Sequence, residues 1–356
     1  MKFDHVLPFI PLYALSRIVY RMTIHHIGYE RTTFMQYRRL GHAGVQVSTI
    51  ALGSWLTYGG SVAEEAAAQC IRKAYDLGIT FFDTANVYNH GAAEQIVGRT
   101  LKEYPRDSYV LATKVYFPMG EGPNHSGLSR KHIMEQCHAS LRRLGADYID
   151  LYQCHRYDDQ TPLEETLRAL DDLVTQGKVL YVGVSEWSAT QIADAVYTAR
   201  ALNLDRIASN QPIYNMLQRY IERDVLPLCE REGIGQVVFS PLAEGVLTGK
   251  YKPGQQPPQG SRAADPQINA FMQEFMSDRT LTAVQNLQSL AQQGGYSLAQ
   301  MALAWTLRQP MVSAAIIGAS RPQQVEENAK AAEITLDDDV LAHIDEILGD
   351  VVEYER

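Results

Sequence analysis

Residues 78–94 read GITFFDTANVYNHGAAE, and the fold turns on this stretch. The apolar run Ile79–Phe82 ends abruptly in a carboxylate, Asp83, and a tyrosine, Tyr88, follows five residues later. A short run rich in β-branched and aromatic residues is the pattern of a strand buried on both faces of a parallel sheet. Asp83 then stands at the C-terminal end of that strand, where closed α/β barrels carry their chemistry. Taken alone the pattern is weak, because an acid here more commonly caps the helix that follows. It gains weight only if other strands bring partners to the same face.

Outward from this stretch, short apolar runs alternate with amphipathic ones. Strands are predicted at Thr49–Gly53, Thr80–Asp83, Tyr109–Lys114, Tyr148–Gln153, Tyr181–Ser185, Ala208–Gln211, Gln236–Ser240 and Ala314–Ile317. Helical periodicity occupies Ala63–Leu77, Ala93–Tyr104, Arg130–Leu144, Pro162–Gln176, Ala189–Leu202, Tyr220–Glu232 and Leu281–Arg308. Gly78, Gly145, Gly177 and Gly233 fall where the chain leaves a helix and needs a left-handed residue. Eight strands alternating with helices predict an α/β fold, a single (β/α)8 TIM barrel over residues 35–356. Met35–Gly44 is expected to form a short hairpin across the barrel floor. Lys250–Phe275, which contains Pro253, Pro257, Pro258 and Pro266, breaks the rhythm as a long loop after strand 7. In residues 1–34 the apolar stretch Val6–Ala14 is interrupted by Pro8 and Pro11, with no clean cleavage site after it. That segment reads as a poorly ordered N-terminal extension, not a signal peptide.

Composition excludes several partner classes. A net charge of −9 disfavours nucleic acid and anionic membranes. No apolar stretch reaches the length of a membrane helix. Cys70, Cys137, Cys154 and Cys229 have no C-x-x-C spacing and read as free thiols in a reducing compartment, which places the protein in the cytoplasm. No metal site is expected. A homo-oligomer is left open.

The strand ends supply the chemistry. Strand 2 ends in Asp83 with Tyr88 beyond it, strand 3 ends in Lys114, and strand 4 leads to His155. A tyrosine is a poor acid at neutral pH, with an unperturbed pKa of about 10. An adjacent ammonium is expected to lower that value, and a carboxylate paired to the lysine keeps it charged and placed. A histidine alongside can orient a carbonyl oxygen or share in proton transfer. Each residue alone has a plainer reading: a structural ion pair for Asp83 and Lys114, a surface loop for Tyr88, a satisfied strand-end histidine for His155. Four such residues from three successive strand ends instead make a unit that can protonate an oxygen gaining negative charge, as carbonyl reduction requires. No G-x-G-x-x-G follows any strand, so a Rossmann site is not indicated. The loops after strands 7 and 8 are the alternative phosphate site, with Pro322 opening a helix just past Ser320 and Arg321.

The stretches YRRLGHAGVQVSTIALGSW, FFDTANVY, ATK, GVSEWS, SNQPIYN, FSPLAEGVLTGKY and IIGASRPQQVEEN, in this order, resemble the aldo-keto reductase family from Met35 to the C-terminus. GLSRKHI, TPLEET and SPLAEGVLTGKY most resemble the branch holding voltage-gated potassium channel β subunits and bacterial glyceraldehyde-3-phosphate reductase-like enzymes. The resemblance implies Tyr88 as general acid, Lys114 as its partner, Asp83 holding Lys114, and His155 orienting the carbonyl. Channel β subunits often carry asparagine at the His155 position, so the histidine leans towards an ordinary reductase.

The resemblance also implies an extended NADP(H) across the barrel top. Ser185 and Gln211 match positions on the nicotinamide carboxamide, and Phe239 matches an aromatic residue stacked on its ring, where relatives carry tyrosine or tryptophan. Ser240, Leu242 and Lys250 match the diphosphate side. Gly318, Ser320, Gln324, Glu327 and Asn328 match the adenosine end, with Arg321 and Arg262 as candidates for the 2′-phosphate. Glu186 and Gln324 depart from the residues common at their positions. Trp55, Tyr116 and Phe117 are candidates for an apolar substrate wall or for packing between loops. Arg156 faces either an anionic substrate or a surface carboxylate. The expected function is NADPH-dependent reduction of a small-molecule aldehyde or ketone. The rivals are an NADP(H)-binding regulatory or redox-sensing subunit of the channel-β type with little turnover, and a barrel isomerase or aldolase using Lys114 as a Schiff-base nucleophile.

Overall fold

A two-stranded antiparallel hairpin, β1 (Tyr37–Arg39) and β2 (Gln46–Ser48), precedes eight parallel strands that close on themselves. These are β3 (Ile50–Gly53), β4 (Phe81–Asp83), β5 (Val110–Val115), β6 (Ile149–Cys154), β7 (Val179–Ser185), β8 (Ile207–Gln211), β9 (Gly235–Val238) and β10 (Val312–Gly318), with β10 pairing back onto β3. Helices surround them, so the protein is a (β/α)8 barrel, as its strand pattern predicts. The structure, a computed structural model, describes residues 35–55, 58–60, 62–265 and 268–355. The expectations for residues 1–34 and for Pro266 lie outside that range.

Each predicted strand lies within two residues of an observed one at either end. Two helical expectations need correction. Leu281–Arg308 is two helices, Asp278–Gln293 and Leu298–Leu307. Gly294 and Gly295, the latter at φ +77°, end the first, and Ser297 starts the second through a reciprocal cap with Gln300. Tyr220–Glu232 is a 3-10 turn, Tyr220–Glu222, followed by the helix Val225–Glu232. The helix Asp338–Leu348, capped by Asp337, was not anticipated.

Alternation along the strands places the site. Ala51, Phe81, Ala112, Leu151, Ala208, Val237, Ala314 and Ile316 point inward and pack in the lumen with Leu40 and Val47 of the hairpin. Their outward neighbours, such as Phe82, Leu111 and Tyr152, pack under the helices. Because side chains alternate with a period of 2, the next inward positions towards the C-terminal ends are Asp83, Lys114 and Gln153.

The hairpin closes the opposite end. Arg38 Nη1 donates to the Val312 carbonyl at 2.7 Å, the His42 N–H to Gly233 O at 2.9 Å, and Ser313 Oγ to Arg39 O at 2.9 Å. Gly41 has φ +56°, and a Cβ there would lie 2.4 Å from Gly233 O. Only glycine fits a backbone approach this close. With the floor sealed, the open mouth lies at the C-terminal strand ends.

Candidate active site

Asp83 ends β4, Lys114 is the penultimate residue of β5, and His155 directly follows β6. Lys114 Nζ is fully buried; it pairs with Asp83 Oδ1 and donates to Thr84 O at 2.9 Å and to Tyr88 Oη at 3.3 Å. Asp83 Oδ2 accepts from Gln211 Nε2 at 3.0 Å and from Gln153 Nε2 at 3.3 Å. Ser185 Oγ donates to the backbone carbonyl of Gln211 at 2.9 Å, which ties Ser185 to the residue whose side chain reaches Asp83. Tyr88 opens a tight turn in which Asn89, His90 and Gly91 have φ values of 46°, 51° and 91°. Consecutive left-handed residues cost backbone energy. Asn89 Nδ2 pins the turn by donating to Tyr58 O at 2.7 Å. The Tyr88 and His155 ring centroids are 5.7 Å apart.

Burial raises the Tyr88 phenol above its ordinary value of 10.0, and the Lys114 ammonium opposes this without overcoming it. That corrects the expectation that the ammonium makes the phenol more acidic: withdrawing a phenolate from water costs more than one nearby cation returns. Burial acts to lower the Lys114 value, yet Asp83 and Tyr88 outweigh it and the net shift is upward, so the ammonium persists. His155 is pushed well below 6.5 by burial, then by Lys114 and Arg156, and is neutral at pH 7. Its Nδ1 is buried with no hydrogen-bond partner among the described residues. A neutral phenol held against a fixed ammonium gives up its proton only to a strong base, such as an alkoxide.

An aromatic wall borders this cluster. The Phe117 ring lies 4.9 Å from the His155 ring and 5.2 Å from Tyr116. Trp55, two residues past β3, has the Arg262 guanidinium 5.9 Å from its ring centre.

The remaining cofactor expectations divide by location. Ser240, Leu242, Lys250 and Arg262, following β9, share one cavity of about 950 Å³ with Gly318, Ser320, Arg321, Gln324, Glu327 and Asn328, following β10. Ser185, Gln211 and Phe239 do not line it. Phe239 is partly buried at the top of the lumen. Glu186, at φ +59°, accepts from the Ile213 N–H at 2.6 Å and from the Tyr220 hydroxyl at 2.9 Å. Within the cavity Arg262 pairs with Glu244, and Gln324 Oε1 accepts from the Ser320 N–H at 2.8 Å. The residues fit a dinucleotide. The volume lies at the upper end for small-molecule sites. Lys250 and Arg321 are exposed cations suited to phosphates, and, apart from its chain neighbours, no atom of the described residues lies within 4 Å of where a Gly318 Cβ would stand, leaving its backbone open to the cavity.

Sequence reasoning missed Gln153 and the Thr84 carbonyl. Gln153 was detectable in principle, as a polar residue two positions after the lumen residue Leu151. A backbone acceptor for Lys114 leaves no trace in residue identity. No cluster of metal-ligating side chains occurs among the described residues, and none of their helices is long and apolar enough to cross a membrane.

Residues 49–349 match the model of the Aldo/keto reductase family. A putative voltage-gated potassium channel subunit beta of Schizosaccharomyces pombe is 44% identical over 322 residues, covering 88% of this chain and 93% of that protein. A probable voltage-gated potassium channel subunit beta of Arabidopsis thaliana is 43% identical, covering 84% and 92%. The L-glyceraldehyde 3-phosphate reductase of Escherichia coli is 39% identical, covering 90% and 94%. A family model over most of the barrel, with relatives matched nearly end to end, shows that this chain belongs to the aldo/keto reductase family.

Proposed function

We propose that the protein is a cytoplasmic NADP(H)-dependent carbonyl reductase, with residues 35–356 as the catalytic barrel and residues 1–34 as an extension. The observation that carries this reading is the Tyr88 hydroxyl, 3.3 Å from a buried ammonium and beside a neutral imidazole at the barrel mouth. NADPH, when bound, supplies the hydride to the carbonyl carbon of an aldehyde or ketone. Tyr88 donates its proton to the carbonyl oxygen as charge develops there. Lys114 stabilises the phenolate left behind, Asp83 holds Lys114, and His155 orients the oxygen. Ser185, Gln211 and Phe239 hold the nicotinamide end. Ser240, Leu242 and Lys250 take the diphosphate; Gly318, Ser320, Gln324, Glu327 and Asn328 take the adenosine; Arg262 and Arg321 take the 2′-phosphate. Trp55, Tyr116 and Phe117 wall the substrate.

The test is an NADPH-coupled screen of aldehydes, methylglyoxal and sugar phosphates, with NADH in parallel. Tyr88→Phe is expected to cut turnover by about 10²–10⁴-fold, the usual worth of a placed proton donor, while NADPH affinity measured by fluorescence stays near that of the parent. Near-normal rates in that variant remove Tyr88 from its role. The similarity to channel β subunits favours a second reading, a cofactor-binding regulatory subunit with little turnover. Negligible single-turnover oxidation of bound NADPH across the aldehyde panel would select it.

A further inference from the structure

Arg156 is a partly buried arginine at the mouth that helps keep His155 neutral but is given no contact with substrate or cofactor above. Its Nη1 donates to the His155 carbonyl at 2.6 Å, and its guanidinium stands 5.5 Å from the Phe117 ring centre. Phe117 packs against His155, and His155 packs against Tyr88, so three successive contacts link the cation to the proposed proton donor. Among the described residues no carboxylate pairs with it, and the groups acting on it electrostatically are the Tyr88, Tyr220 and Tyr116 phenols. Glu186, a carboxylate bonded to Tyr220, accepts from that hydroxyl and from the Ile213 N–H. Two other partly buried arginines find acids, Arg106 meeting Asp150 at 2.5 Å and Arg143 meeting Glu94 at 2.5 Å. Arg38 is satisfied by two backbone carbonyls, those of Gln309 and Val312, against a single one, that of His155, on Arg156. A guanidinium removed from water without a counter-ion is costly, and arginine does not escape by losing its proton. Arg156 does not line the cavity after β9 and β10, so the phosphates proposed there do not compensate it.

We infer that Arg156 is a specificity-determining residue that takes the anionic substituent, carboxylate or phosphate, of a carbonyl substrate whose reacting end lies at Tyr88 and His155. The inference rests on the reductase reading for the carbonyl, but the preference for an anion can be read separately. The guanidinium fork suits either group, and Phe117 and Tyr116 offer an apolar wall for the atoms between.

The test compares kcat/KM for 4-carboxybenzaldehyde and 4-formylphenyl phosphate with that for methyl 4-formylbenzoate, a neutral analogue. In the parent the anionic aldehydes are expected to lead by tenfold or more, a lead that narrows as NaCl is raised. In Arg156→Gln the anionic-to-neutral ratio is expected to fall at least tenfold, and Arg156→Lys should keep an intermediate ratio. A lead for the phosphate identifies a phosphorylated aldehyde as the substrate class, and a lead for the carboxylate identifies an oxo acid. A parent without anionic preference, or a ratio unmoved in Arg156→Gln because both rates fall together, overturns the inference and leaves the reductase reading intact. If no aldehyde is turned over, the reductase reading fails, and calorimetric titration with 4-(hydroxymethyl)benzoate and 4-(hydroxymethyl)benzamide decides the anion site. Tenfold weaker binding of the benzoate alone in Arg156→Gln then supports the site; equal binding overturns it.

Discussion

At the scale of single residues, the site is governed by desolvation more than by pairwise attraction. Tyr88 is held protonated by burial despite Lys114, and His155 is held neutral by burial and two flanking cations. The rate of carbonyl reduction is therefore expected to show no limb near pH 6.5 from the imidazole. It should fall only at strongly alkaline pH, as the phenol ionises above its ordinary value. Stability carries the complementary sign. The unfolded histidine takes up a proton below about pH 6.5 while folded His155 does not, so the native state loses stability as pH falls through that value. His155→Asn is expected to show a shallower loss of urea midpoint between about pH 7 and 5 than the parent; equal slopes would show that His155 does not titrate in this way. Asp83, Lys114 and His155 were legible because each closes an apolar run. The direction of the Tyr88 shift was not, because it depends on how much water surrounds the ring.

At the scale of elements, the helix Ala92–Leu101 that follows the Tyr88 turn is anchored by a fully buried acid. Glu94 accepts from Thr113 Oγ1 of β5 at 2.6 Å and from Arg143 Nε of the helix Arg130–Leu144 at 2.5 Å, joining two helices to the strand that bears Lys114. Removing one member of such a buried pair commonly costs about 3–5 kcal/mol. Glu94→Ala is expected to lower the denaturant midpoint accordingly with the m-value unchanged, and a loss below about 1 kcal/mol would show that Arg143 finds another partner. The quoted stretch ends at this residue, yet the sequence marks it only as an acid in a first helical turn. The break at Gly294–Gly295 shows the same limit: continuous helical periodicity on both sides masked two glycines that the chain uses to turn.

For the whole molecule, the parallel pairing of β9 with β10 brings their C-terminal ends together, and the loops that leave them line the cavity proposed for the dinucleotide. NADPH at 100 times its Kd is expected to stabilise the folded barrel by about 2.7 kcal/mol, visible as a raised thermal midpoint. Lys250→Met should reduce that gain if the cavity holds the phosphates, and no upward shift with NADPH would remove the cavity from this role. The amino-acid sequence by itself determined the order of the eight strands, the residues that end them and the family the chain belongs to. Those follow from apolar runs, alternation and motif order, which are local or linear. The tertiary structure alone decided which polar side chains meet: Gln153 and Gln211 on Asp83, Glu244 on Arg262, and no acid on Arg156 among the described residues. Those contacts join residues from different strands and loops, and their electrostatics depend on water excluded by packing that no single segment encodes.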